Sequence, residues 1–319
     1  MKQHIFPFLK SRVIRPQIRR KTVLSLFFGL AFPLISSGAP IVTVIDDDAL
    51  NEKSIRSVKE VADRCGIKVT FAPVAAYLLK SPKVAALLRQ YVREGHEIAS
   101  HSLSHRSDVW KSRKVPDIKV IEHEMAESER IFKNFQLYPK SFVYPFGNFP
   151  AGHRKVIFDI VSRYYPVAFN ARGDINLPGK MYPLYISRHP LRNHNSLFMM
   201  KRLIDDAAAA EKSWVVILTH SGKSDFSAEM LEKIIRYAQK SGAVFLPASE
   251  AWKKAASWPM AAEDQIQDYS RFMDLLNAAY FHLPLLLAAG FGMVMICGGV
   301  ISFFYIRRRR RFRNSPDCL

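Results

Sequence analysis

The chain has 319 residues, 49% of them hydrophobic, and a net charge of +19. That length allows one large domain of roughly 200 to 250 residues with a buried core, plus flanking segments. Residues 1–39 hold seven Lys or Arg and no acid, and residues 283–319 hold six against one acid. The intervening chain keeps 34 bases and 27 acids, a surplus too small to make nucleic acid an expected partner. Cys65, Cys297 and Cys318 fall in three different segments, which excludes a disulfide framework within the central domain.

In chain order, Arg12, Arg15, Arg19, Arg20 and Lys21 precede an apolar run at 22–34 that ends in small residues around Ser36, Ser37, Gly38 and Ala39. This is the pattern of a signal peptide or short membrane anchor, and either one exports the chain that follows. A β-branched run at 41–45 reads as a strand buried on both faces, with Asp46, Asp47 and Asp48 at its end. A helix is predicted at 52–64, stopped by Gly66, then a strand at 67–74, a helix at 82–94 and a strand at 96–99. Further on come a helix at 118–136, a strand at 142–144 running into Pro145, Phe146 and Gly147, a helix at 153–163, and strands at 166–170 and 185–188. A helix at 196–212, an apolar strand at 214–219, a helix at 227–241 and a strand at 243–246 complete the series. Alternation of strand and helix predicts a parallel α/β architecture spanning residues 40–256, with ligands gathered at the carboxyl ends of the strands.

A linker at 257–282 leads to residues 283–306, which carry no charge. At 1.5 Å per residue these span roughly 36 Å as a helix, against a bilayer core of roughly 30 Å. Arg307 to Arg311 and Arg313 then read as a stop-transfer cluster, placing the 307–319 tail in the cytoplasm and the domain outside it. Membrane lipids are expected partners through these anchors.

Two histidines, His101 and His105, follow the strand at 96–99 with a spacing that sets both imidazoles on one side of a helical turn, where they can converge on one metal ion or stand as ordinary surface or core histidines. The acids at 46–48 are an exposed turn or a cation site. His220 ends the strand at 214–219, and Arg188 ends that at 185–188.

Assembled, these residues resemble the polysaccharide deacetylase family, the NodB-homology or carbohydrate esterase family 4 domain, over about residues 40–256. Residues 44–48 match its Thr-Phe-Asp-Asp-Gly motif with Asp48 in place of glycine, and residues 101–105 match His-Ser/Thr-x-x-His in full. Gly66 to Phe71, the Gly-His-Glu-Ile at 95–98 and the Leu-x-His at 218–220 fall in the family's order. The resemblance implies a distorted (β/α) barrel and a hydrolase that removes acetyl groups from N-acetylated amino sugars of a glycan. It further implies that Asp47, His101 and His105 hold a divalent metal, most often zinc, with Asp46 as general base and His220 as general acid. The backbone N–H of Phe146 would help hold the oxyanion, and Leu218, with Tyr144 and Pro145, would line the acetyl pocket. The motif arginine that usually orients the base is absent; Arg188 is the expected replacement, and Asp174 a candidate to orient His220. Asp48 is left open as a ligand, a supporting acid or a substitution for glycine. Two alternatives stand beside the glycan deacetylase: a deacylase of a lipid-linked sugar, and a glycan-binding member of the fold without turnover.

Overall fold

The structure is a computed structural model that describes residues 38–111, 117–147, 149, 151–191 and 197–266. In chain order its elements are β1 (Ile41–Asp48), α1 (Glu52–Cys65), β2 (Thr70–Pro73), α2 (Ala75–Lys80), α3 (Pro82–Arg93), β3 (Glu97–Ile98), α4 (Ser107–Trp110), α5 (Ile118–Asn134) and β4 (Phe142–Val143). There follow α6 (Arg154–Val161), β5 (Ala168–Phe169), β6 (His189–Pro190), α7 (Leu197–Ala209), β7 (Trp214–Thr219), α8 (Ala228–Lys240), β8 (Val244–Phe245) and α9 (Ala248–Ala255). Local chemistry sets several ends. Asn51 accepts the Ser54 N–H at 3.0 Å to start α1, and Gly66 stops it in the left-handed region at φ 66.

The strands form a closed ring of parallel neighbours. β3, β2, β1, β7 and β6 are hydrogen-bonded in that order, and β4 pairs with β5. Single bridges join the two groups, Ser100 to Phe142 and Phe169 to Ile186, so the circuit closes through two narrow seams. This is the expected parallel α/β architecture, in the form of a distorted barrel. β8 takes the first two residues of β1, ahead of the point where β2 begins pairing at Ile45.

Alternation along the strands separates two cores. Ile41, Ile45, Ala72, Ala99, Val143, Phe169, Ile186, Trp214 and Val216 pack together in the barrel interior. Val42, Val44, Phe71, Ile98, Val215 and Ile217 face outward against α1, α3, α7 and α8. Ala248, Ala251 and Ala255 of α9 join the interior cluster. The start of α9 is tied to the amino ends of β2 and β3, where Thr70 Oγ1 accepts the Ala248 N–H at 2.9 Å and the Glu97 carboxylate accepts the Ser249 N–H at 3.0 Å. α9 therefore closes the amino end of the barrel, and the carboxyl end is left for chemistry.

Several elements depart from the sequence reading. α2 and α9 were not anticipated; both are short and hold their places through contacts to distant strands and loops. A 3-10 turn occupies Pro183–Tyr185, and the pairing strand that follows Arg188 is His189–Pro190 rather than 185–188. The predicted membrane segments at 22–34 and 283–306 lie outside the described residues. Among the described residues no helix is long and apolar enough to cross a membrane.

Candidate active site

The three consecutive acids of β1 diverge because a strand alternates. Asp46 continues the outward face of Val42 and Val44, and lies against the outward face of β7. There it accepts from Thr219 Oγ1 at 2.7 Å, the Ser221 N–H at 2.9 Å and Ser221 Oγ at 2.6 Å. Burial pushes its carboxyl up to about 7, against the pull of those hydrogen bonds.

Asp47 continues the inward face of Ile41 and Ile45 and stands at the mouth of the barrel. Arg188 Nη1 donates to its Oδ1 at 2.6 Å, while Oδ2 lies 3.8 Å from His101 Nε2 and 3.9 Å from His220 Nε2. Burial alone would raise this carboxyl; the Arg188 charge, with the His101 and His220 rings beside it, outweighs burial and holds Asp47 below the usual carboxylate range. Arg188 is itself anchored, its Nε donating to the Asn170 carbonyl at 2.8 Å.

At Asp48 the backbone turns left-handed, φ 72, and the strand ends. Its Oδ1 lies 3.7 Å from His101 Nε2 and 3.8 Å from His105 Nε2. Among the described residues, Asp48, His101 and His105 form a group whose ligand atoms all lie within 4.8 Å of one another. Asp47, expected as the carboxylate ligand, is not in that group.

The histidine pair does not sit on a helical turn, as its spacing suggested. Residues 101–106 are a loop with left-handed backbone at Ser102 (φ 65) and His105 (φ 53), and the two rings meet edge to face at 4.7 Å. His101 Nδ1 donates to the Val143 carbonyl at 2.9 Å, which fixes the tautomer and leaves Nε2 with its lone pair. That Nε2 is buried with no hydrogen-bond partner. An orphaned, correctly oriented imidazole nitrogen beside a second ring and a carboxylate suits a divalent ion such as Zn²⁺, which takes this donor set.

The turn over residues 144–147 closes with the Gly147 N–H on the Tyr144 carbonyl at 3.0 Å. It holds Phe146 at φ 61 with its ring 4.5 Å from that of His105. The Phe146 amide is outside the closing bond.

A family model described as polysaccharide deacetylase matches residues 37–161, the stretch that carries all three acids and both histidines. Over these residues the chain is similar to the polysaccharide deacetylase family. No curated protein matches the chain. Among solved structures, the Xyl-CE4 domain of a multidomain xylanase from a Trinervitermes trinervoides hindgut metagenome is 18% identical, covering 72% of this chain and 100% of its own, with a TM-score of 0.50. A probable polysaccharide deacetylase from Pseudomonas aeruginosa PAO1 is 14% identical over 68% of this chain and 91% of its own, at 0.51. The PuuE allantoinase is 13% identical over 69% and 92%, at 0.53. At these identities the likeness is one of fold.

Against the polysaccharide deacetylase motif, the geometry separates two alignments of the acids. With residues 44–48 on Thr-Phe-Asp-Asp-Gly, the first motif acid is Asp46, which faces away from the barrel mouth. With residues 45–49 on it, the first acid is Asp47, beside Arg188 and His220, and the second is Asp48, beside both rings. The glycine position does not choose, since Asp48 and Ala49 are both left-handed, at φ 72 and 48.

Leu218 follows Trp214 and Val216 on the inward face, as a residue of the acetyl pocket requires, and is 3% exposed. Tyr144 does not line the mouth: it packs in an outer aromatic cluster with Phe142 and Phe149, and its hydroxyl donates to the Leu184 carbonyl at 2.9 Å. Pro145 is buried in the turn. Asp174 sits 3.6 Å from Arg172, and the carboxylate that meets His220 is Asp47. The sequence reading passed over Thr219 and Ser221, whose hydroxyls beside a motif histidine were the available signal. It also passed over Lys223, whose Nζ lies 3.8 Å from Asp48 Oδ2.

Proposed function

We propose that this protein is a metal-dependent N-deacetylase of N-acetylated amino sugars in an extracytoplasmic polysaccharide, held at the cell membrane by its terminal segments with its basic tail in the cytoplasm. The observation that carries the reading is the convergence, at the carboxyl end of a parallel barrel, of an Asp48, His101 and His105 donor set with Asp47, Arg188 and His220. Asp48, His101 and His105 would hold a divalent cation, which would supply Lewis acidity towards the acetamide carbonyl and water.

The remaining steps belong to side chains. Asp47, held ionised by Arg188, accepts a proton from water as its oxygen attacks the acyl carbon. Arg188 fixes that carboxylate through one oxygen and leaves Oδ2 facing the histidines. The Phe146 N–H supports the developing oxyanion. As the carbon–nitrogen bond breaks, His220 donates a proton to the departing amine, giving acetate and a free amino sugar. Leu218 on the inward face lines the space for the methyl group, which favours acetyl over bulkier acyl groups. Pairing of the acids by strand direction, and not by motif alignment alone, is the reason for assigning base and ligand to Asp47 and Asp48.

The test is incubation of the purified full-length protein, in detergent, with a panel of peptidoglycan, poly-N-acetylglucosamine and chitooligosaccharides, measuring free acetate with and without chelator. Chelator-sensitive acetate release supports the reading; glycan binding without any release would make this a carbohydrate-binding member of the fold.

A further inference from the structure

The loop that carries both histidines has no regular structure of its own, so something else must fix the distance between the rings. Two elements do. From one side, the Ala75 and Ala76 N–H groups at the start of α2 donate to the Ser102 and Leu103 carbonyls at 3.0 and 2.9 Å. From the other, Glu124 on α5 reaches into the loop. Its Oε2 accepts the Leu103 N–H at 3.1 Å and the Ser104 N–H at 3.0 Å, and its Oε1 accepts the Ser104 hydroxyl.

Glu124 is 3% exposed and lies on the buried stripe of α5 with Ile121, Met125 and Ser128. Among the described residues no Lys or Arg forms a salt bridge with it, though the Arg106 charge acts on it; its hydrogen-bond donors are the amides and hydroxyl of the histidine loop. Placing a carboxylate on the apolar face of a helix costs free energy unless its oxygens are satisfied. Here three donors from consecutive loop residues satisfy it, and in return the loop's left-handed path through Ser102 and His105 is held. The loop is closed internally as well, by the His105 N–H on Ser102 Oγ at 3.1 Å.

We propose that Glu124 is a positioning residue for the metal site: it clamps the segment between His101 and His105 so that both imidazoles face Asp48 before any ion arrives. The proposal rests on the reading of Asp48, His101 and His105 as the ligand set. Glu124 touches neither substrate nor ligand; it acts through the Leu103 and Ser104 backbone.

The experiment titrates metal-free full-length protein with Zn²⁺, and with Co²⁺ for its visible absorption, in the parent and in Glu124→Ala, Glu124→Gln and Met125→Ala. Met125→Ala removes a buried apolar side chain from the same helix and controls for loss of stability alone. Glu124→Ala is expected to weaken Zn²⁺ binding about 10- to 100-fold and to change the Co²⁺ spectrum. Glu124→Gln, which keeps an acceptor for the two N–H groups, is expected to recover most of the affinity. Hydrogen exchange of a peptide spanning residues 101–106, in the metal-free proteins, should accelerate in Glu124→Ala and not in Met125→Ala. Unchanged affinity in Glu124→Ala, or an equal loss in Met125→Ala, would overturn the clamp. If the parent binds neither ion, the ligand set fails and the exchange measurement alone decides the clamp.

Discussion

Arg188 and Asp47 form an ion pair with almost no access to water: Nη1 to Oδ1 is 2.6 Å, the arginine has no exposed surface and the aspartate 2%. Such a pair is costly to assemble and more costly to break, since removing one partner strands the other as an uncompensated buried charge. Arg188→Met should therefore lower stability by about 3 to 5 kcal/mol, read as a shift in the urea midpoint. Acetate release should fall as well, because Asp47 loses the cation that keeps it ionised. A variant with parental stability would mean that Asp47 is protonated in the folded protein.

The three adjacent acids should separate cleanly by phenotype. Asp48→Asn is expected to lose metal, and Asp47→Asn to keep metal while losing roughly 10²- to 10⁴-fold in turnover, the usual range for a general base. Asp46→Asn should keep both within a few-fold, because an asparagine oxygen can accept from Thr219 and Ser221 while its amide donates to the Ser221 hydroxyl. Metal content and acetate release measured on all three decide it. Metal loss in Asp47→Asn together with turnover loss in Asp46→Asn would return the roles to the alignment on residues 44–48.

Gly147 has φ 74, and a Cβ there would lie 2.2 Å from Ala171 Cβ. Gly147→Ala faces both a disfavoured backbone and a contact that must be relieved by moving the turn, for a combined cost of roughly 2 to 4 kcal/mol. Since that turn carries Phe146 onto the His105 ring, turnover should drop along with the melting temperature. A melting temperature within a degree of the parent would show that the turn yields freely.

His96 predicts an acid limb. Its Nδ1 accepts the Val69 N–H at 3.2 Å, and burial, aided by Lys59 and Lys68, pushes its pKa down to about 4 from 6.5. Between those values the unfolded chain binds the proton and the folded chain does not, so stability is full above pH 6.5 and falls as pH drops towards 4. The loss assignable to this ring is on the order of 3 kcal/mol. Urea unfolding of the parent and His96→Gln at pH 7.5 and 4.5 should show a shallower decline in the variant. Identical declines would remove His96 from the acid response.

How much of this was readable beforehand depends on the kind of signal. The runs at 41–45 and 214–219 announced buried parallel strands because every residue in them is apolar or β-branched, and they form the β1–β7 pair at the centre of the sheet. His101, His105, His220 and Arg188 were legible because each follows or closes an apolar run in the sequence, although in the structure only His220 directly follows a strand, the histidine pair lies in the loop beyond β3, and Arg188 precedes β6. Which of the acids at 46–48 faces the site was not legible from the motif alone, since two alignments differ by one residue and only the interior and exterior partners of β1 separate them. Tyr144 was misplaced for the same reason: its neighbour Val143 points into the barrel, so Tyr144 points out. Glu124 left a trace, a carboxylate in phase with the apolar positions of α5, but its partners are backbone amides and carry no side-chain code.

The helix that seals the amino end of the barrel also constrains traffic. With Ala248, Ala251 and Ala255 packed against the interior side chains, the described part of the barrel has a solid floor. Under the proposed reaction, acetate must leave by the same doorway through which the sugar entered. Release of the small acid and withdrawal of the polymer then compete for one opening, and a bound glycan chain delays the departure of the acid it has just lost.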